Sequence, residues 1–292
     1  MKIGIIGIGL IGGSIAKEIK TKSLGTVQVY GVESNRLHAE KVKQLNLVDE
    51  LLSAEQLFEK VDVIILATPV NVIKDQIVDL LNKVKADQVI IDTGSTKRFI
   101  CRAIETHKNR SNFVAAHPLA GTEFSGPEAA VLDLFRGKKN IICEKEKSSD
   151  KAIQIALKIF DFLGMSTYYL QAEDHDRHLA YVSHLSHISS FTLSLTVQEI
   201  EKNQKQIFNL ASTGFESTAR LAKSNAETWG PIFDANGEYL TEAIDLYINY
   251  LNKFKANIEN RNIESSKNLM LKANQISSVL EGIVPNKIIP KS

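Results

Sequence analysis

Three glycines near the start of the chain have the spacing of a phosphate-binding turn. A short apolar segment runs into the sequence G-I-G-L-I-G (7–12), and an amphipathic helical segment follows it. Gly7 permits the tight turn, Gly9 lets the backbone approach a pyrophosphate, and Gly12 allows close helix–strand packing, while the positive end of the helix faces the phosphates. We therefore predict a dinucleotide site formed by Gly7, Gly9, Leu10, Ile11 and Gly12.

An acidic residue, Glu33, ends a second apolar segment roughly 20 positions after the last of these glycines. A carboxylate at this place accepts hydrogen bonds from the adenosine ribose and repels a 2′-phosphate, which favours NAD over NADP. Arg36 lies close by and could turn toward such a phosphate, so NADP is the alternative. Thr68 and Pro69 follow another apolar segment and are expected next to the cofactor, although an ordinary strand-ending turn explains each of them equally well.

A histidine and a serine follow two further apolar segments. His117 comes after segment 113–115, and Ser95 lies in D-T-G-S-T-K (92–97) after segment 88–91. Because ligands collect at the carboxyl ends of strands in a doubly wound sheet, both side chains are expected in one cleft. A histidine suits the general base that takes an alcohol proton while hydride leaves the same carbon. Ser95 is predicted to orient the imidazole, with capping of the next helix by Ser95 or Thr96 as the alternative.

Two histidines and an arginine stand out later in the chain. His184 and His187 have the spacing of neighbours on one helix face, but no third ligand has a telling spacing, so we expect substrate contact or structural hydrogen bonds and no metal. Arg220 lies in a rather apolar helical segment. Its guanidinium suits bidentate capture of a carboxylate, and an internal salt bridge is the alternative.

The order of apolar and amphipathic segments predicts the fold. Strands are expected at 2–6, 27–32, 61–66, 88–91, 113–115, 140–143 and 167–170, with helices such as 72–83 and 150–163 between them. After position 170 only helical spacing is found, at 175–201, 206–223, 238–260 and 263–282. We predict an α/β Rossmann-type, doubly wound parallel sheet in residues 1–171, followed by an all-α domain in residues 172–292.

Composition limits the partners. The 35 basic and 34 acidic residues are well mixed, which excludes an electrostatic footprint for nucleic acid or an anionic membrane, and no apolar run approaches the ~20 residues of a membrane span. Two widely spaced cysteines and the absence of a leader predict a cytoplasmic protein. Segment 238–260 has more apolar positions than a thin bundle buries, so a homodimer through the helical domain is expected, with a self-contained bundle as the alternative.

The chain resembles the prephenate dehydrogenases, a family that includes arogenate and cyclohexadienyl dehydrogenases. The resemblance covers positions 4–229 and rests on G-I-G-L-I-G-G-S, D-T-G-S-T-K, A-H-P-L-A-G-T-E-F-S-G, H-D-R-H-L-A-Y-V-S-H-L-S-H and T-A-R-L-A with the later Trp229. It implies NAD-dependent oxidative decarboxylation of prephenate to 4-hydroxyphenylpyruvate in tyrosine biosynthesis, with conversion of arogenate to tyrosine as the alternative. It also implies dimers joined through the helical domain.

The resemblance implies roles for the site residues. His117 acts on the 4-hydroxyl of the substrate, and Ser95 orients it. The substrate pocket is implied to contain four further residues. Glu123 is an acidic gate, Arg220 binds a carboxylate, and His187 and Trp229 are the other two. Two departures, Ser186 where the family has proline and F-E-S-T-A-R-L-A (215–222) where it has F-R-D-x-T-R-I-A, leave open the choice between prephenate and arogenate.

Two other classes of protein compete with this interpretation. The β-hydroxyacid dehydrogenases have a similar plan but rely on a lysine in the first helix of the second domain, and this chain has none between Lys158 and Lys202. A non-catalytic dinucleotide-sensing protein would keep the glycines and the helices. It would have no use for His117, Ser95 and Arg220 together.

Overall fold

The computed structural model describes residues 1–203, 207–277 and 279–280. The internal contacts of the chain divide it into two units, Met1–Leu240 and Thr241–Ser292. The first unit contains the whole sheet and all the predicted site residues.

The first unit is built on an eight-stranded sheet in the order β3-β2-β1-β4-β5-β6-β7-β8. The strands are β1 (Lys2–Ile6), β2 (Gln28–Val32), β3 (Glu50–Leu51), β4 (Val63–Leu66), β5 (Val89–Asp92), β6 (Phe113–Pro118), β7 (Lys139–Cys143) and β8 (Ser166–Leu170). All neighbouring strands are parallel except β6 and β7, which are antiparallel. The predicted Rossmann-type sheet is therefore confirmed, while the expectation of a wholly parallel sheet was wrong at β7.

Helices cover the sheet and continue after it. They are α1 (Leu10–Lys22), α2 (Arg36–Gln44), α3 (Ala54–Lys60), α4 (Val70–Lys83), α5 (Arg98–Ala103), α6 (Asp150–Phe162), α7 (Ala172–Leu179), α8 (Leu185–Asn203), α9 (Thr213–Ala219), α10 (Ala226–Ala235), α11 (Gly237–Glu259) and α12 (Ile263–Asn274). The last strand ends at Leu170 and only helical elements follow it in the described residues. The division into domains 1–171 and 172–292 stays a prediction.

The core lies on both faces of the sheet. Successive side chains of a strand point to opposite faces, so Ile65 and Ile91 join one buried cluster while Ile64 and Ile90 join another. Because both faces are covered, the strands are continuous apolar runs without polar alternation. This pattern is what made seven of the strands recognisable in the sequence.

One strand was not predicted, and two predicted elements have different bounds in the structure, each for an identifiable reason. The two-residue strand β3 is too short to carry a pattern. Strand β6 continues to Pro118 because β7 pairs with it there, with His117 opposite Ile141, so His117 lies within the strand and not after it. The predicted helix 175–201 is interrupted by a π-helical turn, Ala180–His184, which inserts extra backbone between α7 and α8.

The helix expected at 206–223 is also divided. It consists of a 3₁₀ turn (Ile207–Leu210), α9 and a second 3₁₀ turn (Arg220–Lys223), and residue 206 lies outside the described residues. Helix α12 ends at Asn274, and part of the helix predicted over 263–282 also lies outside them. None of the helices in the described part of the chain is long and apolar enough to cross a membrane.

Candidate active site

A cavity of about 620 Å³ lies at the carboxyl ends of β1, β2, β4 and β5. Helix α10 and the loop before the 3₁₀ turn at Pro127–Ala129 line its other side. The predicted site residues that line it are Gly7, Gly9, Leu10, Ile11, Glu33, Thr68, Pro69, Ser95, Glu123 and Trp229. Of the remaining predicted residues, all within the described chain, Gly12, His117, His187 and Arg220 are not part of this lining.

The glycine turn has the shape that a pyrophosphate requires. Gly7 has φ +90°, a left-handed conformation that glycine adopts without strain. A Cβ on Gly12 would run into the carbonyl oxygen of Gly7, whereas a Cβ on Gly9 would have no atom within 4 Å. Gly9 is the N-cap of α1 and no side chain caps this helix, whose first residues, Leu10 and Ile11, line the cavity. The first amides of a helix have no partner within it and suit a phosphate. The turn therefore fits a dinucleotide.

Glu33 is held at the end of β2 by two backbone donors. Its Oε2 accepts a hydrogen bond from the Ile8 amide at 3.1 Å, and its Oε1 accepts one from the Asn35 amide at 2.9 Å. A carboxylate has about four acceptor positions, so lone pairs remain for ribose hydroxyls. The exposed Arg36 side chain pairs with Glu40 at 3.3 Å.

His117 makes its hydrogen bond with another histidine. Its Nδ1 lies 2.9 Å from Nε2 of His175, a residue of α7, and Nδ1 of His175 lies 2.7 Å from Oδ1 of Asp176. Ser95 lines the cavity but forms no hydrogen bond with His117 among the described residues. With Nδ1 engaged, Nε2 is the imidazole nitrogen left for a substrate or for Ser95.

Burial controls the protonation of this cluster. It lowers the pKa of His117 well below its ordinary value, and the nearby His175, Lys97 and His184 lower it further. Burial also lowers the pKa of His175, although Asp176 opposes this, and lowers the pKa of His184 to about 4. The three imidazoles are therefore neutral at pH 7, and His117 has the base form that proton abstraction needs.

The aromatic wall of the site joins α8 to α10. His187 stacks on Trp229 with ring centroids 3.3 Å apart, and His184 contacts the same indole edge-on at 6.0 Å. The helix face that His184 and His187 were predicted to share therefore packs against the ring of Trp229. Among the described residues there is no group of three or more side chains that could hold a metal.

Arg220 differs from its expected setting. It begins the 3₁₀ turn that follows α9, in which no residue is buried, and its side chain is 53% exposed. The segment is therefore not the apolar helix that the sequence indicated. Its Nη1 lies 3.8 Å from Oε2 of Glu123, a long contact that leaves the donors of the guanidinium available. A second contact joins the loop that contains Glu123 to the start of α10. The side chain of Asn225, the N-cap of α10, donates to the hydroxyl of Ser125 at 3.0 Å.

The alternative role of Ser95 or Thr96, capping of the next helix, is not found in the structure. Neither Ser95 nor Thr96 caps α5. Instead, the carboxylate of Asp176 accepts hydrogen bonds from the amides of Lys97 and Arg98 at 2.8 and 2.9 Å. Sequence reasoning assigned no role to His175 and Asp176, although both begin the H-D-R-H-L-A-Y-V-S-H-L-S-H segment. Their contacts with His117 and with the start of α5 could not be predicted locally, because those partners lie 58 and 79 positions away.

This fold and site define a class. A glycine turn that fits a dinucleotide, with a buried neutral histidine near the strand ends and a helical second half, is typical of a two-domain nucleotide-dependent dehydrogenase. Residues 15–169 match the family model described as prephenate dehydrogenase, nucleotide-binding domain, and residues 171–272 match prephenate dehydrogenase, dimerization domain. The chain belongs to the prephenate dehydrogenase family and is an NAD-dependent dehydrogenase.

Individual relatives agree with this assignment. The chain is 29% identical to a cyclohexadienyl dehydrogenase of Zymomonas mobilis, over 88% of each chain, and 28% identical to a prephenate dehydrogenase of Lactococcus lactis, over 98% of this chain and 80% of that protein. It is similar to the crystal structure of an Aquifex aeolicus prephenate dehydrogenase in complex with hydroxyphenyl propionate and NAD⁺ (TM-score 0.80, 28% identity, 94% of this chain and 98% of that chain). It is also similar to a Synechocystis arogenate dehydrogenase (TM-score 0.74, 26% identity, 97% and 100%).

The glycine turn generates a paired prediction. Gly9→Ala should leave the melting temperature unchanged, because its Cβ enters open space, but should weaken NAD binding about tenfold by obstructing the phosphate. Gly12→Ala should lower the free energy of unfolding by about 1–3 kcal/mol, because its Cβ overlaps the Gly7 carbonyl. Calorimetric titration with NAD and thermal melts measure both effects.

Gly214→Ala is the matched control, since its Cβ also meets no atom and its position lies outside the cavity lining. It should leave NAD affinity unchanged and should not lower the free energy of unfolding, because alanine is the better helix former within α9. Normal NAD affinity in Gly9→Ala, or normal stability in Gly12→Ala, would contradict the assigned roles.

Proposed function

We propose that the protein catalyses the oxidative decarboxylation of prephenate to 4-hydroxyphenylpyruvate, with His117 as the general base. The observation that carries this is the buried, neutral imidazole on β6, the neighbour of β5, whose carboxyl end leads to Ser95 in the cavity lining. Its free Nε2 suits a base for the 4-hydroxyl proton. The location we propose is the cytoplasm, in keeping with Cys101 and Cys143, which are buried and unpaired.

A bound NAD would supply the acceptor for the hydride that leaves C4 of the ring. The residues that would hold it are the glycine turn, Glu33 at the ribose, and Leu10, Ile11, Thr68 and Pro69 along the lining. Two backbone hydrogen bonds hold the Glu33 carboxylate at the ribose position, where it disfavours a 2′-phosphate. The pairing of Arg36 with Glu40 supports the same choice.

The substrate lies between Ser95 and Trp229. His117 removes the hydroxyl proton as hydride leaves the same carbon, and loss of CO₂ then makes the ring aromatic. The electrons of the broken C–C bond enter the ring and generate a phenolate oxygen, which takes the proton back from His117. We assign to Ser95 a hydrogen bond on the His117 Nε2 side of the site, to Arg220 the binding of a substrate carboxylate, and to His187 and Trp229 the ring-facing wall.

Arogenate is the second candidate substrate. It carries an ammonium group where prephenate carries a keto group, and the carboxylate of Glu123 lines the cavity with 22% of its side chain exposed. An ammonium ion would find an opposite charge there. Glu123 also contacts Arg220. This fits a gate in which Arg220 exchanges Glu123 for the substrate carboxylate when substrate enters.

We further propose that the protein is a homodimer joined through its helical part. Long apolar side chains are exposed along α11 at Leu246, Tyr247, Ile248, Tyr250 and Leu251. Exposed apolar patches of this kind mark interfaces, and a two-fold dimer is the commonest closed assembly. The match to the dimerization domain of the family supports the proposal.

A steady-state assay tests the substrate and the cofactor together. With prephenate and arogenate, each with NAD and NADP, we expect the highest kcat/KM for prephenate with NAD, and 4-hydroxyphenylpyruvate and CO₂ as products. A higher kcat/KM for arogenate would establish the second candidate. Absence of turnover with both substrates in a protein that binds NAD would overturn the proposal in favour of a sensing protein.

Replacing the base tests the mechanism. His117→Asn should lower kcat by about 10²–10⁴ and leave NAD affinity unchanged. In the unaltered enzyme, kcat/KM depends on neutral His117, whose folded-state pKa is depressed, so activity is lost only as pH falls through that lowered pKa. The acid limb of the profile should therefore lie below pH ~6.5, the ordinary value for histidine. Near-normal turnover of the variant, or an acid limb above that value, would contradict the role.

Arg220→Ala tests the carboxylate contact. Loss of a charged hydrogen-bond partner is worth about 1.5–3 kcal/mol, so kcat/KM should fall roughly 10- to 150-fold, mainly through KM. The melting temperature should hardly change, because the exposed contact with Glu123 contributes little. Lys223→Ala, in the same 3₁₀ turn, is the control and should behave as the unaltered enzyme. A lower melting temperature with normal KM would identify the internal salt bridge as the role of Arg220.

A further inference from the structure

Three side chains form a continuous hydrogen-bonded series behind the base. Asp176 Oδ1 lies 2.7 Å from His175 Nδ1, and His175 Nε2 lies 2.9 Å from His117 Nδ1. Asp176 and His175 are fully buried, and His117 is 8% exposed. The series starts on α7 and ends on β6, so two separate elements of the fold are needed to assemble it.

The direction of each proton in the series follows from Asp176. Oδ1 of Asp176 accepts a hydrogen bond from the amide of Lys97 and Oδ2 accepts one from the amide of Arg98, so both oxygens act as acceptors. His175 must therefore donate its Nδ1–H to Asp176. A neutral imidazole carries one proton, so Nε2 of His175 is an acceptor and Nδ1 of His117 must be the donor.

We propose that His175 and Asp176 are positioning residues that select the tautomer of His117, so that its Nε2 is unprotonated and available to the substrate hydroxyl. This proposal deepens the function proposed above and rests on His117 being the base. Without His175, either nitrogen of His117 can carry the proton, and the Nε2–H form cannot act as a base. In the Ser-His-Asp triad of serine proteases, a wrong imidazole tautomer costs about 10⁴ in kcat.

The series also provides a second imidazole, that of His175, to hold the proton that is taken from the substrate. When Nε2 of His117 gains the substrate proton, its Nδ1 proton can pass to Nε2 of His175. His117 then returns to a neutral state, and His175 becomes an imidazolium next to the Asp176 carboxylate. The reverse transfers return the proton to the phenolate oxygen after CO₂ leaves, so the series is unchanged after each turnover.

Other charged groups face the series from three further elements. Lys97, at the start of α5, and Asp92, on β5, interact electrostatically with it, and His184 of the π-helical turn interacts with His117 and His175. Lys97 and Asp92 form a buried ion pair with each other. Within the described chain, Asp176 is the carboxylate that hydrogen-bonds to His175.

The decisive measurement is the ¹⁵N NMR spectrum of histidine-labelled protein near pH 7.5, with the His117 signals assigned by their loss in His117→Asn. Protonated and unprotonated ring nitrogens have well-separated shifts. We expect His117 to have a protonated Nδ1 and an unprotonated Nε2. An unprotonated Nδ1 in the unaltered protein would overturn the proposal without any variant having to fold.

Variants connect the tautomer to catalysis. His175→Phe should give a mixed or reversed His117 tautomer and lower kcat by about 10²–10⁴, with NAD affinity and KM changed less than about twofold. His175→Gln can still accept a hydrogen bond and should recover part of kcat. His178→Gln, an exposed position of the same helix, is the matched control and should leave all readings unchanged.

The outcomes separate this proposal from the proposed function. If His117→Asn kept its turnover, the base assignment would fail even if the tautomer were as expected. If His117→Asn lost turnover while His175→Phe kept a normal kcat, the base would stand and the positioning role would be overturned.

Discussion

The carboxylate of Asp176 is the interaction on which the arrangement of the site depends. It is fully buried, and an unpaired buried charge would be costly enough to prevent folding of this region. Hydrogen bonds from two amides of α5 and from His175 satisfy it, while the carbonyl of Asp176 accepts one from Asn236 at 2.7 Å. Any shift of α5 or α7 would leave these partners unmatched, so the carboxylate fixes both helices relative to His117.

A second buried interaction holds the strand that carries the base. Lys97 donates to Asp92 and, at 2.8 Å, to the carbonyl of Ala116, whose amide donates to Asp92 at 3.1 Å. Burial raises the pKa of Asp92, and the Lys97 ammonium opposes that rise. The backbone amide and the carbonyl of Ala116, the residue before His117, are thus both hydrogen-bonded. The D-T-G-S-T-K segment at the end of β5 thereby contributes its lysine to the core and leaves Ser95 at the cavity.

The sequence revealed what depends on local pattern. The buried strands, the glycine turn and the helical second half each rest on residue spacing within one segment, and all were predicted. What could not be predicted depends on distant partners. Strand β6 reaches His117 because an antiparallel strand from another part of the chain pairs with it, and α5 is capped by a residue 79 positions away. Arg220 was predicted to lie in a helix because, over a single turn, the apolar spacing of a 3₁₀ turn looks the same as that of an α-helix.

The depressed pKa of His117 fits a reaction in which the proton is only transferred temporarily. A stronger base would remove the hydroxyl proton more readily, but it would also hold that proton when the phenolate oxygen needs it. Burial makes the imidazolium form of His117 unfavourable, so the protonated state returns its proton readily. Asp176 favours the charged form of His175 and so limits that penalty when the proton passes to His175. The same burial that excludes water from the base thus favours both halves of the proton cycle, provided that Nδ1 of His117 keeps its partner on α7.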